Sequence, residues 1–348
     1  MGIFSAIEFE QRLAKTKAAM EEHGLEVILM ADPANMNYLT GYDGWSFYTP
    51  QVVVVALSEK EPYWIGRGMD ANGARHTCYL AESHIIGYPD KLVQVADNHP
   101  MRFVADFLKS RGWHKHPIGL EKDAYYFTAR WMEELQQGLP DAKFHDCSLL
   151  VNWVRSVKSE TEIKYMKQAG KIAERVMQAA LDHIAPGVRE CDAVAEVYRA
   201  QMRGCEDFGG DYPSIVPMMP TGAKTSAPHL TWTDEPYRNE QAVNLELAGC
   251  RHRYHSPLAR TAYIGRNPPR QLQDLAKNVA EGLEVTLAAI QPGVTCEEVE
   301  LVWRRHIARY GLEKESRIGY SLGLNYPPDW GEHTMSLRPG DRTVLQPN

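Results

Sequence analysis

Short apolar runs alternate with amphipathic stretches through the first 145 residues. From residue 7 to 22 apolar side chains return at helical spacing (Phe9, Leu13, Met20), and His23-Gly24 supplies a stop. Runs at 26–30, 51–57, 62–65, 84–87, 117–121 and 143–145 read as strands, with helical stretches at 98–111 and 126–137 between them. This alternation predicts a mixed or mainly parallel sheet with helices packed on it. Residues 37–50, rich in aromatics and glycine, read as a loop. Such a loop suits a ligand wall or a subunit contact, and packing over a neighbouring sheet is the plainer alternative.

The pattern changes near residue 155, where we place a boundary between domains 1–155 and 156–348. Ser159 and Glu162 have capping-box spacing ahead of a helix with Ile163, Met166, Ala173, Val176, Ala180 and Ile184 on one face, and Pro186-Gly187 stops it. One plan then occurs twice. Ile172-Ala173-Glu174 leads to Pro186-Gly187-Val188 and a helix with Val194, Val197, Tyr198 and Met202. Val279-Ala280-Glu281 leads to Pro292-Gly293-Val294 and a helix with Val299, Val302, Trp303 and Ile307. A duplicated helix, Pro-Gly turn and helix predicts two halves related by a pseudo-two-fold around a shared sheet.

Between the repeats, 243–249 and 254–264 read as two strands of a hairpin flanking a polar turn with a glycine. Glu246 sits in the first strand among Val243, Leu245, Leu247 and Ala248. Burying an ionised carboxylate there costs several kcal/mol unless a cation, a metal or a donor meets it.

Composition narrows the partners. The 348 residues are 44% hydrophobic and 24% charged with a net charge of −7, an ordinary globular profile that favours a small-molecule substrate over nucleic acid or an anionic membrane. The six cysteines are scattered without zinc spacing, and neither a leader nor a membrane-length apolar span is visible, so a reducing cytoplasm is expected.

With Ala34-Asn35-Met36-Asn37-Tyr38-Leu39-Thr40-Gly41 in the first part and the duplicated second part, the chain resembles the creatinase, prolidase and methionine aminopeptidase superfamily. The resemblance covers nearly all residues. It implies an α/β (α+β) fold: a small amino-terminal α/β domain, then a pita-bread domain with internal duplication. Peptidases of this superfamily hold two metal ions, and the first three ligand positions correspond to Glu246, Pro257 and Tyr320. Proline and tyrosine in the frames Ser256-Pro257-Leu258-Ala259-Arg260-Thr261 and Gly319-Tyr320-Ser321-Leu322-Gly323 leave that donor set broken, so no metal and no cofactor is expected. The last two ligand positions would fall beyond residue 348, and the chain reads as ending before the last strands of the domain.

Thr221-Gly222-Ala223-Lys224-Thr225-Ser226-Ala227-Pro228-His229 resembles the segment whose histidine faces substrate, which makes His229 a proton-transfer candidate. Loss of the metals with this histidine kept is the pattern of metal-free branches. One hydrolyses a small guanidino acid, and another opens the cyclic amidine of the compatible solute ectoine. Residues 40–48 and 246–249 look most like the latter. The resemblance therefore implies hydrolysis of ectoine, with Glu246 pairing the amidinium and then activating water or attacking directly. Arg260 is expected on the substrate carboxylate, with Tyr320, His255, Trp45 and Tyr48 lining the pocket and the chain acting as a homodimer. Competing readings are a hydrolase of another guanidino or amidino acid, a metal-dependent X-Pro peptidase, and a non-catalytic binding module.

Overall fold

The computed structural model describes residues 3–348. Two compact units divide between Arg155 and Ser156.

In the first unit the chain runs α1 (Ala6–Glu22), β1 (Val27–Met30), α2 (Pro33–Thr40), β2 (Val52–Ala56), β3 (Tyr63–Arg67), α3 (Ala71–Thr77), β4 (Ile85–Tyr88), α4 (Pro100–Ser110), β5 (Pro117–Leu120), α5 (Ala129–Gly138), β6 (Lys143–Asp146) and α6 (Leu150–Val154). The sheet order is β4-β3-β2-β1-β5-β6. It is mixed: β2 pairs antiparallel with β1 and β3, and the other neighbours are parallel. All residues of β1 and β2 are buried, which is why these strands are unbroken apolar runs. One face packs Val27, Leu29, Val52, Val54, Ile118 and Leu120 against Met101, Val104 and Leu108 of α4 and Trp131 and Leu135 of α5.

The structure corrects the reading of 37–50 as loop throughout, because residues 37–40 are the last turn of α2. Asp32 caps that helix by accepting from Ala34 N–H at 2.8 Å, Pro33 opens it, and Gly41 ends it with φ +80°.

The second unit holds α7 (Glu160–His183), α8 (Glu190–Arg203), the hairpin β7 (Gln241–Arg251) and β8 (Tyr254–Ile264), α9 (Arg270–Ala289), α10 (Cys296–Ala308), and the pair β9 (Gly319–Leu322) and β10 (Gly331–Leu337). Ser159 and Glu162 form the expected capping box on α7, and Thr295 and Glu298 form another on α10. The duplication is visible in the backbone. Gly187 N–H donates to Tyr237 O at 2.9 Å and Tyr237 N–H returns to Val188 O at 2.8 Å. Gly293 N–H donates to Leu345 O at 2.8 Å and Leu345 N–H returns to Val294 O at 2.8 Å.

The hairpin packs one face on α7 and α8, where Val243, Leu245, Leu247 and Ile264 join Ile172, Val176, Val194 and Val197 in the core. Gly249 lies in β7, not in the turn. A Cβ there would stand 2.1 Å from Ala169 O, so glycine is what lets strand and helix meet. The turn is His252-Arg253, both with positive φ (50° and 66°), as a two-residue hairpin loop requires. Neither residue favours that region, and each conformation costs on the order of 1 kcal/mol. Contacts offset the cost: His252 N–H donates to Asp211, its ring meets Tyr165 edge-on, and the Arg253 guanidinium lies 3.6 Å over Tyr212.

Candidate active site

Strand alternation sorts the hairpin residues. With Val243, Leu245 and Leu247 committed to the core, Asn244, Glu246 and Ala248 point to the other face, where the register sets them opposite Thr261, Ala259 and Pro257. Glu246 is therefore half-buried on the face away from the helices. A third extended segment borders it, since Glu246 N–H donates to Met218 O at 2.9 Å and Met218 N–H donates to Glu246 O at 3.2 Å.

That segment continues through Thr221 into a short turn, Gly222–Ser226, and then to His229. Its path is fixed on both sides of His229, and Thr231 O accepts from Met219 N–H at 3.4 Å. Asn244, two residues before Glu246, donates from Nδ2 to Thr225 O at 3.0 Å while its Oδ1 accepts from Thr261 Oγ1 at 3.1 Å. Further on, the buried Glu190 carboxylate at the start of α8 accepts from Thr233 N–H at 2.6 Å and Thr233 Oγ1 at 2.9 Å. Between these anchors His229 takes φ +67° and lies exposed.

Burial raises the Glu246 carboxyl above its ordinary range, and the charge of His229 pulls it partly back. No hydrogen bond from another side chain reaches the carboxylate among the described residues. Burial also raises Tyr320, and the negative charge of Glu246 adds to that shift. The three groups therefore share one electrostatic neighbourhood. The Tyr320 hydroxyl accepts from Trp330 Nε1 at 2.8 Å, and its ring carries the Arg317 guanidinium at 4.1 Å.

Two expected pocket residues are placed otherwise. Arg260 pairs with Leu245, so its side chain leaves the sheet on the opposite face from Glu246; it is exposed and donates to Ala259 O at 2.7 Å. His255 shares Glu246's face but is fully buried and engaged at both nitrogens. Nε2 accepts from Ser214 N–H at 2.9 Å, which leaves Nδ1–H to donate to Gly323 O at 3.3 Å. Burial drives its pKa down to about 4, so it is a neutral brace between strands. Trp45 and Tyr48 are exposed on the first unit, at 58% and 63%. Sequence reasoning missed Asn244, Glu190 and Arg317; the position of Asn244 two residues from Glu246, hence on its face, was the one available signal.

The donor set does not fit a dinuclear metal site. Pro257 and Tyr320, which the superfamily resemblance sets at two metal-ligand positions, offer neither a carboxylate nor an imidazole. No cluster of three or more His, Cys, Asp or Glu side chains suited to a metal occurs among the described residues.

Comparison with known proteins gives a consistent picture. Residues 12–157 match the creatinase/prolidase N-terminal domain, and residues 164–348 match metallopeptidase family M24. The chain is 47% identical to an uncharacterized hydrolase/peptidase (y4tM) of Sinorhizobium fredii over 344 residues, covering 99% of this chain and 88% of that one. It is 45% identical to an ectoine hydrolase of Halomonas elongata over 351 residues, with the same coverage of 99% and 88%. Among solved structures, a prolidase from Thermococcus sibiricus superposes with a TM-score of 0.82 at 20% identity over 98% of this chain and 88% of that one, a likeness of fold. Among the described residues, no helix is long and apolar enough to cross a membrane.

Proposed function

The chain belongs to metallopeptidase family M24, with a creatinase/prolidase amino-terminal domain, and is a hydrolase; from that premise we propose that it opens the cyclic amidine of ectoine without a metal ion. The observation that carries this reading is Glu246: a half-buried carboxylate with a raised pKa that feels the charge of His229, in a frame where the resemblance assigns metal-ligand positions to Pro257 and Tyr320. The 45% identity to an ectoine hydrolase supports the substrate.

An amidinium is a planar delocalised cation. Its N–H groups pair with the Glu246 oxygens through charge-assisted hydrogen bonds, and its charge returns the carboxyl to the ionised form that burial disfavours. Hydrolysis adds one water: oxygen bonds to the amidine carbon, one C–N bond breaks, and the departing nitrogen takes a proton. The product is an N-acetyl-2,4-diaminobutyrate. Glu246 supplies the base or the attacking oxygen, and His229, on its anchored segment, supplies the proton.

The test is turnover of ectoine by chelator-treated protein, with products read by mass. Glu246→Gln is expected to lose activity by about 1000-fold or more, and His229→Ala by about 100-fold, each keeping the wild-type fold. Because burial raises the Glu246 pKa, the acid limb of kcat/KM should lie above 4.5, activity falling as the pH drops through it. Strict dependence on an added divalent ion, with cleavage of X-Pro dipeptides instead, would overturn the reading.

A further inference from the structure

Ectoine carries a carboxylate as well as an amidinium, and with Arg260 on the far face of the hairpin another cation must answer it. We propose that Arg317 binds that carboxylate and sets the preference for an acidic amidine over a neutral one; this rests on the ectoine reading.

Arg317 lies just before β9. Its guanidinium packs 4.1 Å over the Tyr320 ring, and Nη1 donates to Ser336 Oγ at 3.1 Å from β10. Both contacts hold the fork in place while leaving N–H groups unspent, and Arg317 forms no ion pair with a carboxylate among the described residues. Tyr320 ties Arg317 to Glu246's side of the hairpin: its hydroxyl accepts from Trp330 Nε1 at 2.8 Å, and the Trp330 ring lies 6.5 Å from that of His255, which shares Glu246's face. The charges of Glu246 and Arg317 act on the phenol in opposite directions. One phenol thus stands beside an anion and a cation that are not paired to each other. That arrangement fits a short zwitterion laid across it, with the amidinium on Glu246 and the carboxylate on Arg317. A guanidinium takes a carboxylate by two parallel N–H···O bonds, which an ammonium cannot reproduce. Stacking on an aromatic face keeps the group oriented before the substrate arrives.

The experiment compares kcat/KM for ectoine and for 2-methyl-1,4,5,6-tetrahydropyrimidine, the same ring without the carboxylate, in the wild type, Arg317→Met and Arg317→Lys. The wild type should prefer ectoine by about 100-fold, as expected for a charged hydrogen-bonded contact. In Arg317→Met that ratio should collapse to near unity whatever loss the two substrates share, and Arg317→Lys should keep only part of it. A ratio that stays near the wild-type value in folded Arg317→Met would overturn the assignment and leave the ectoine reading standing. No turnover of ectoine by the wild type would sink both.

Discussion

Acid weakens the second unit through one imidazole. His255 is fully buried, with Nε2 taken by Ser214 N–H and Nδ1–H given to Gly323 O, so a second proton would cost a hydrogen bond and place a charge in the interior. Its pKa in the folded protein is about 4, against an ordinary 6.5. Between those values the unfolded chain binds a proton that the folded chain refuses. Stability is therefore full above pH 6.5 and declines as the pH falls, until the folded form also titrates near 4. At 1.36 kcal/mol per pH unit the whole interval is worth about 3 kcal/mol. Urea unfolding followed by fluorescence at pH 7.5, 6.5, 5.5 and 4.5, in the wild type and in His255→Gln, isolates this contribution. Glutamine keeps an acceptor and a donor but no titratable group, so the stability gap between the two proteins should shrink by about 2 kcal/mol from pH 6.5 to 4.5. A gap that stays constant over that range would refute the reasoning, because it would mean His255 titrates alike in both states.

Two further predictions test the local geometry. Asn244→Ala removes the donor to Thr225 O and the acceptor for Thr261, so kcat for ectoine should fall about 10- to 100-fold with the fold intact; Asn244→Asp, which cannot donate to Thr225 O, should fare no better, and full activity in either variant would remove Asn244 from the positioning of His229. Gly249→Ala drives a methyl group into Ala169 O and should cost about 3 kcal/mol or more, read as a lower thermal midpoint, which an unchanged midpoint would contradict.

Much of this was legible in residue order. The buried strands of the first unit announced themselves as continuous apolar runs, and the Ser159–Glu162 box and the two Pro-Gly-Val turns marked the helices of the second. Residues 37–40 are helical despite their aromatic, loop-like composition because Asp32-Pro33 and Gly41 cap α2 at its two ends. Arg260 failed for a geometric reason. Which face a residue on the returning strand takes depends on the length of the turn, and the His252-Arg253 turn sets Arg260 opposite Leu245 rather than Glu246. His255 was hidden because its partners, Ser214 and Gly323, lie 41 and 68 residues away, too far for any local pattern to pair them.

The span from Thr225 to Thr233 is held like a cord between two pegs, one on the sheet and one on a helix. Thr231 and Trp232 are tied to Met219 and to the core, but residues 228–230 bear on neither peg, so substitutions there re-aim the imidazole at little cost to folding. Divergence in substrate preference among close relatives should accordingly begin in that span and leave both pegs in place.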